Sequence, residues 1–261
     1  MTTVDSPKAS KINQLMKAWP KGTVAVYSWL ASQGVYRQLA GSYIKGSWID
    51  RIGRGAFKRA GETADWTGAL YAMQTQLKLS VHAAGKTALG LQGYAHYVPM
   101  GAGQTVVLFG NPLEKLPEWF RRYDWKVKPR YVATGFLDRK KSTGLTDHAL
   151  GDYLIKISSP ERAMLEVCYD VPDEESYEEA GLLMEGLTTL RPDLVQELLK
   201  ECRSVKAKRL FMHLAEKQGH AWAKKLNLKK VDFGSGKRMI GKHGTYDAKY
   251  QIVVPAVKEG I

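Results

Sequence analysis

Residues 10–59 leave few folds open, because three short helical patterns are followed there by a basic hairpin. Apolar residues recur at helical spacing over residues 10–19, and Pro20 ends that pattern. A second apolar stripe ends at Gly34, and a third helix is predicted directly after it. Residues 48–59 predict two strands joined by a Gly-Arg-Gly turn. Three helices and a hairpin in this order predict a winged helix-turn-helix.

The third predicted helix has two chemically different faces. Helical spacing places on one face Tyr36, Leu39, Ala40 and Tyr43. The opposite face carries Arg37, Gln38, Gly41, Ser42 and Lys45. A helix that buries one side and presents polar groups on the other suits the major groove of DNA. The DNA-binding candidates here are Arg37, Gln38, Ser42 and Lys45, together with Tyr43.

The predicted hairpin supplies a second group of DNA-binding candidates: Arg51, Arg54, Lys58 and Arg59. A wing beside a reading helix brings such cations to phosphates or to the minor groove. The alternative is an ordinary small sheet whose charged side chains are only solvated.

Positive charge is concentrated in the first part of the chain. The whole chain of 261 residues has a net charge of +13, and residues 1–98 contribute +8 of it. Residues 158–261 have 17 basic and 16 acidic side chains, a net charge of +1. This asymmetry predicts a DNA-binding domain at residues 1–98 and a second domain with another task at 99–261. The small residues of 99–103 mark the boundary.

The fold class predicted for the whole chain is α+β. Strands are predicted at residues 79–83, 94–98, 105–109, 131–137 and 153–157, with a short helix at 119–120. A run of helices follows near residues 160–169, 174–190, 192–202, 205–218 and 220–226. Late strands are predicted at residues 230–233 and 250–254. The second domain is therefore predicted to be mixed α/β, with its second half largely helical.

Composition argues against membrane and disulfide-framework proteins. No stretch approaches the roughly 18 consecutive apolar residues that a membrane span needs. The two cysteines, Cys168 and Cys202, are too few to staple a secreted scaffold. We therefore expect a cytoplasmic globular protein without a membrane partner.

Two glycine segments are candidates for anion binding. Gly85 precedes Lys-Thr, but a phosphate loop needs another glycine where Ser80 stands, so a helix N-terminus with an exposed lysine is favoured. Residues 234–236 precede Lys237 and Arg238, and their backbone N–H groups suit a phosphate or carboxylate. A mobile hairpin loop is an equal alternative for that second segment.

An enzymatic alternative is a metal-dependent nuclease that uses Asp138 and Lys140, with Asp124 as the second carboxylate. Asp-x-Lys is a short pattern that occurs by chance, so it is the weaker interpretation. The six histidines show no zinc-ligand spacing. We predict no catalytic residue, no metal site and no cofactor.

Several of these segments resemble AbiEi-type antitoxins of bacterial abortive-infection and type IV toxin–antitoxin systems. The N-terminal likeness ends in Trp48-Ile-Asp-Arg-Ile-Gly-Arg-Gly-Ala-Phe57. Similar segments follow at residues 81–96, at the Ser-Pro-Glu-Arg helix start of 157–165, and at 208–211 and 233–238. The resemblance runs over most of the chain.

The resemblance implies a non-enzymatic, two-domain repressor and antitoxin that acts in phage defence. Its first domain would bind inverted repeats in the double-stranded DNA of its own promoter. Its second domain would neutralise a nucleotidyltransferase-type toxin, directly or functionally. Candidates for the toxin interaction are the basic residues Lys208, Arg209, Lys237 and Arg238. A regulator that senses a small molecule is a further alternative.

Overall fold

The computed structural model describes residues 10–94, 103–137, 142–241 and 244–256. These residues form ten α-helices and eleven strands, which confirms the predicted α+β class. They divide into two compact units. The N-terminal unit runs from the start of the described chain to Ser80 and includes residues 115–126 and 148–155. The C-terminal unit contains residues 81–114, 127–147 and the chain from Lys156 onward.

The elements follow one another in this order along the chain. The first are α1 (Lys11–Ala18), β1 (Ala25–Val26), α2 (Tyr27–Ser32), α3 (Arg37–Lys45), β2 (Ile49–Gly53), β3 (Ala56–Arg59) and α4 (Trp66–Thr75). The middle elements are β4 (His82–Ala83), α5 (Gly85–Leu91), β5 (Thr105–Gly110), α6 (Glu118–Arg122), β6 (Lys128–Ala133), β7 (Leu145–Leu150) and β8 (Tyr153–Ser158). The last are α7 (Pro160–Asp170), α8 (Tyr177–Glu185), α9 (Pro192–Glu201), α10 (Val205–Lys217), β9 (Arg238–Met239), β10 (Gly244–Asp247) and β11 (Ile252–Pro255).

The three predicted helices and the hairpin occur in the predicted order. The short strand β1 joins the hairpin and makes a three-stranded antiparallel sheet in the order β1-β3-β2. We call β2, β3 and their turn the wing. The helices and sheet enclose one apolar core, formed by Leu15, Trp19, Ala25, Leu30, Val35, Ala40, Ile49 and Phe57. The polar side of α3 is thereby left at the surface.

The wing packs against α6, although the two are far apart in sequence. A Cβ atom built on Gly53 would lie 2.7 Å from Cβ of Trp119, so only glycine allows this approach. Trp119 and Phe120 are buried, and the Trp125 indole N–H donates to the Phe120 carbonyl oxygen at 2.7 Å. The aromatic residues of 115–126 thus belong to the same compact unit as the helices and wing.

The C-terminal unit contains helices α7 to α10 close to where the sequence predicts them. A mixed sheet has the strand order β6-β5-β4-β8-β7, and a small sheet near the C-terminus has the order β10-β11-β9. Among the described residues, no helix combines the length and apolar character of a membrane span.

The sequence predictions differ from the structure at several places. The compact units divide after Ser80, whereas the sequence predicts a domain boundary at 98/99. That boundary and most of the strand predicted at 94–98 lie in residues 95–102, outside the described residues, so both stay predictions. Strand β6 begins earlier than predicted, at Lys128, because an edge strand tolerates the missing N–H of Pro129. The prediction of a strand at 230–233 is wrong, since Leu228–Lys230 forms a short 3₁₀ helix.

Replacing Gly53 by alanine is expected to lower the free energy of unfolding by about 1–3 kcal/mol, because the added methyl group overlaps Trp119. The matched control is Gly41→Ala in α3, where the added Cβ meets nothing within 4 Å. Alanine is the better helix former by up to about 1 kcal/mol, so this control should be neutral or stabilising. Urea denaturation measures both variants. Equal stability of the two would contradict the tight packing of the wing on α6.

Candidate nucleic-acid interface

The outward side of α3 presents four of the predicted DNA-binding residues to solvent. Arg37, Gln38, Ser42 and Lys45 are all exposed. In the part of the chain that the structure describes, neither Arg37 nor Lys45 forms an ion pair. Their charges are therefore free to meet an anionic partner.

Helical spacing predicts the place of Tyr43 but not that of Tyr36. Tyr43 is partly buried against the apolar core, and burial raises the pKa of its phenol. Tyr36 is 66% exposed, although the predicted helix places it on the buried face. The reason is that α3 begins at Arg37, so Tyr36 is its N-cap and has an extended backbone. Tyr43 therefore stays with the core, and Tyr36 is the surface tyrosine.

The wing adds two exposed arginines to this surface. Arg51 lies on β2 with its guanidinium carbon 5.8 Å from the centre of the Phe57 ring, and Arg54 lies in the turn. Both side chains are exposed, and neither has an ion-pair partner among the residues described. These two cations have the exposure that contact with a phosphate requires.

The other two wing candidates, Lys58 and Arg59, are engaged in contacts inside the protein. Lys58 donates to a carboxylate oxygen of Asp50 at 2.8 Å and to the Glu62 carbonyl oxygen at 2.9 Å. Arg59 donates to the carbonyl oxygens of Met16 and Trp19, and its side chain is 13% exposed. The Arg59 contacts fasten β3 to the C-terminal end of α1.

A cleft of about 470 Å³ lies between the wing and α6. Arg54 and Arg122 line it from opposite elements, together with Glu118 and Asp124. Arg122 pairs with Glu118 at 2.8 Å, and both side chains are at least half exposed, so this pair contributes little to stability. Sequence reasoning missed the cleft because nothing local indicates that α6 packs on the wing.

Of the three residues of the nuclease alternative, the structure describes only Asp124. Asp124 is exposed and accepts hydrogen bonds from the backbone and side chain of Lys126, which lower the pKa of its carboxyl. Asp138 and Lys140 lie outside the described residues. Asp124 is thus held by a neighbouring lysine within its own loop.

The glycine loop at 234–236 is held by Arg209. This arginine is 2% exposed and donates to the carbonyl oxygens of Phe233, Gly234, Gly236 and Gln251, at 2.6–3.1 Å. The Gly234 N–H already donates to Asp232 at 2.7 Å. The loop is therefore an anchored segment rather than an open anion cradle.

Two of the four residues predicted for the toxin interaction are consequently buried. Lys208 is 4% exposed and donates to the Asp232 carbonyl oxygen, while Arg209 holds the loop as described. Lys237 is exposed, with its ammonium 4.9 Å from the centre of the Tyr246 ring, and Arg238 is half-buried. The exposed cationic groups of this region are thus Lys237 and, in part, Arg238.

The segment Gly85-Lys86-Thr87 begins α5, as the simpler interpretation predicts, but its lysine is engaged. The Gly85 N–H donates to a carboxylate oxygen of Glu166 at 3.0 Å. Lys86 donates to Glu175 at 3.0 Å and to Glu179 at 3.4 Å. A protein carboxylate therefore occupies the position that a phosphate would take.

Glu166 is the centre of a buried polar cluster. Its oxygens contact His82 Nε2 at 3.1 Å, Ser158 Oγ at 2.7 Å and Arg162 Nε at 2.8 Å, besides the Gly85 N–H. Burial by itself raises a carboxyl pKa, but His82 and Arg162 outweigh it and hold the pKa of Glu166 at about 2. The cluster is a structural joint, because every oxygen of the carboxylate is satisfied by protein groups.

The Ser-Pro-Glu-Arg helix start therefore has a structural explanation. Arg162 pairs with Glu166, and the buried Glu161 receives both the backbone N–H and a two-pronged guanidinium contact from Arg191, at 2.9–3.0 Å. These contacts join the start of α7 to the start of α9.

Replacing Glu166 by glutamine should lower the free energy of unfolding by about 3–5 kcal/mol at neutral pH, because Arg162 is left buried without its counter-charge. The folded-state pKa of about 2 lies below the ordinary value of 4.5, so this stabilisation is complete above pH 4.5 and is lost as the pH falls toward 2. Urea denaturation of both proteins at several pH values measures the difference.

The stability gap between wild type and Glu166→Gln is expected to narrow by about 3 kcal/mol between pH 5 and pH 2. Glu185→Gln, which changes an exposed carboxylate on α8, is the matched control and should show no such gap. A gap that is constant with pH would mean that Glu166 is not ionised in the folded protein.

Comparison with known proteins places the whole chain in one family. The family model for the N-terminal domain of the AbiEi antitoxin, a transcriptional regulator, matches residues 8–100. The model for the AbiEi antitoxin transcriptional regulator of type IV toxin–antitoxin systems matches residues 103–255. A search among curated proteins finds no match.

A solved structure has a similar fold. It is the crystal structure of the RV2827C protein from Mycobacterium tuberculosis, with a TM-score of 0.60 and 16% sequence identity. The match covers 94% of this chain and 90% of that one. At this identity the likeness is one of fold. The two family matches together confirm the resemblance found in the sequence, and the chain belongs to the AbiEi family of antitoxins and transcriptional regulators of type IV toxin–antitoxin systems.

Proposed function

We propose that this AbiEi protein represses its own operon by binding inverted repeats in the promoter as a winged helix-turn-helix. In this proposal α3 enters the major groove and the wing lies against the sugar–phosphate backbone. Binding takes place in the cytoplasm, where the promoter is found. The protein contributes binding, and no catalytic residue is assigned.

The observation that carries the proposal is the exposed polar side of α3 beside two exposed wing arginines. Arg37 and Gln38 begin the helix, and the N-terminal residues of a recognition helix are those that reach base edges. Arginine suits guanine and glutamine suits adenine in the major groove. Arg51 and Arg54 supply cations for phosphates, as the net charge of +8 over residues 1–98 favours.

The second part of the proposal is that the C-terminal unit neutralises a nucleotidyltransferase-type toxin. Membership of an antitoxin family supports it, together with the exposed Lys237 and the partly exposed Arg238 beside the anchored glycine loop. These cations suit an acidic surface of the toxin or the nucleic acid on which the toxin acts. Lys208 and Arg209 support that loop from inside and are left out of the contact surface.

Arg37→Ala is expected to weaken promoter binding by 1–3 kcal/mol, about 5- to 150-fold, and to relax the preference for promoter over unrelated DNA. Arg54→Ala should weaken all duplexes about equally and reduce the salt slope by about one unit, because it removes one phosphate contact. Fluorescence anisotropy with the full chain over a range of salt concentrations measures both effects.

The control is Arg203→Ala, which removes an exposed arginine from the C-terminal unit and should leave affinity and salt slope unchanged. The full chain is used because a cut at 98/99 would remove residues 115–126 from the N-terminal unit. If Arg54→Ala alters sequence preference and Arg37→Ala does not, the roles assigned to α3 and the wing are reversed.

Lys237→Glu combined with Arg238→Glu should abolish protection of cells from the toxin while promoter binding stays unchanged, because the substitution reverses the charge only near the glycine loop. Growth after toxin induction and anisotropy with promoter DNA are the two measurements. Lys200→Glu with Arg203→Glu reverses two exposed charges at the end of α9 and should keep protection. Loss of protection only in that control pair would place the antitoxin surface elsewhere.

A further inference from the structure

Exposed aromatic side chains are concentrated around α3. Among the described residues, the large aromatic side chains that are exposed are Tyr36 at 66%, Trp48 at 50% and Tyr246 at 43%. Tyr36 directly precedes α3, and Trp48 follows shortly after its end. An exposed tyrosine or tryptophan ring suits contact with a partner, because it combines an apolar face with a polar group.

The backbone of α3 holds Tyr36 outward. Its dihedral angles, φ −78° and ψ 173°, are extended, while its carbonyl oxygen already accepts the first helical hydrogen bond from the Ala40 N–H at 2.9 Å. The side chain therefore leaves the helix before helical spacing begins. Trp48 differs, because its indole lies against Gly46, with Cδ1 3.1 Å from where a Cβ would be. Tyr36 is the freer of the two rings.

The neighbours of Tyr36 indicate what covers it. Arg37 and Gln38 follow it directly, both are exposed, and both suit base edges in the major groove. The one base feature there that is apolar is the 5-methyl group of thymine, which pairs with apolar side chains. Tyr36, Arg37 and Gln38 therefore offer three neighbouring side chains that suit thymine, guanine and adenine respectively.

We propose that Tyr36 determines part of the DNA sequence preference by packing its ring against the 5-methyl group of a thymine, beside the base pairs contacted by Arg37 or Gln38. The proposal rests on the proposed binding of promoter DNA. Arg37, next to the ring in sequence, and the other exposed cations of α3 and the wing, Lys45, Arg51 and Arg54, favour a polyanion as the molecule that covers it.

The test replaces the thymines of the promoter duplex by deoxyuridine, one at a time, and measures affinity by anisotropy with the full chain. Wild type should lose about fourfold at one thymine in each repeat, the factor expected for one buried methyl group. Tyr36→Ala should bind the unmodified duplex about fourfold more weakly than wild type does. Its affinity should not change further when that thymine is replaced by deoxyuridine. Tyr36→Phe keeps the ring and should behave like wild type.

Tyr246→Ala removes an exposed aromatic ring from the C-terminal unit and is the matched control. Its loss of affinity at each deoxyuridine position should equal that of wild type. The assignment is overturned if Tyr36→Ala loses affinity at every deoxyuridine position as wild type does. It is also overturned if Tyr36→Phe binds the promoter as weakly as Tyr36→Ala, because that result indicates a contact between the hydroxyl group and a phosphate. Melting temperatures equal to that of wild type exclude unfolding as the cause. A wild-type chain that does not bind the promoter overturns the proposed function itself.

Discussion

The C-terminal unit is assembled around the carboxylate of Glu166, which is fully buried. Its donors come from separate elements: His82 from β4, Gly85 from the start of α5, Ser158 from β8 and Arg162 from α7. A buried carboxylate is tolerable only when all its lone pairs are satisfied and a counter-charge is present. The positions of these elements are thus coupled, because each supplies a donor that the same charge requires.

The N-terminal unit uses the same residue types for two different purposes. Arg59 and Lys58 satisfy carbonyl and carboxylate oxygens within the unit, whereas Arg51 and Arg54 project from the same hairpin into solvent. The same division occurs in the C-terminal unit, where Arg209 holds a loop and Lys237 is exposed. A count of basic residues therefore overstates the positive charge at the surface, since some cations donate hydrogen bonds to oxygens inside the protein.

The family matches and the compact units divide the chain at different places. The two family models meet between residues 100 and 103, whereas the N-terminal unit contains residues 115–126 from within the second match. The close approach of Gly53 to Trp119 explains this difference, because it fastens the wing to a helix that comes later in the sequence. The wing, which is proposed to contact DNA, thus takes part of its support from outside the first family match.

Local periodicity, turn residues and motifs are enough to predict the α+β class, the order of helices and hairpin in residues 10–59, helices α7 to α10 and the family. They also identify the exposed cations of α3. Tertiary contacts settle what no local pattern encodes: which arginines are buried against carbonyl oxygens, and that α6 supports the wing. These depend on contacts between segments distant in sequence, where the approach of a second backbone determines whether a charged or aromatic side chain is covered or left in water.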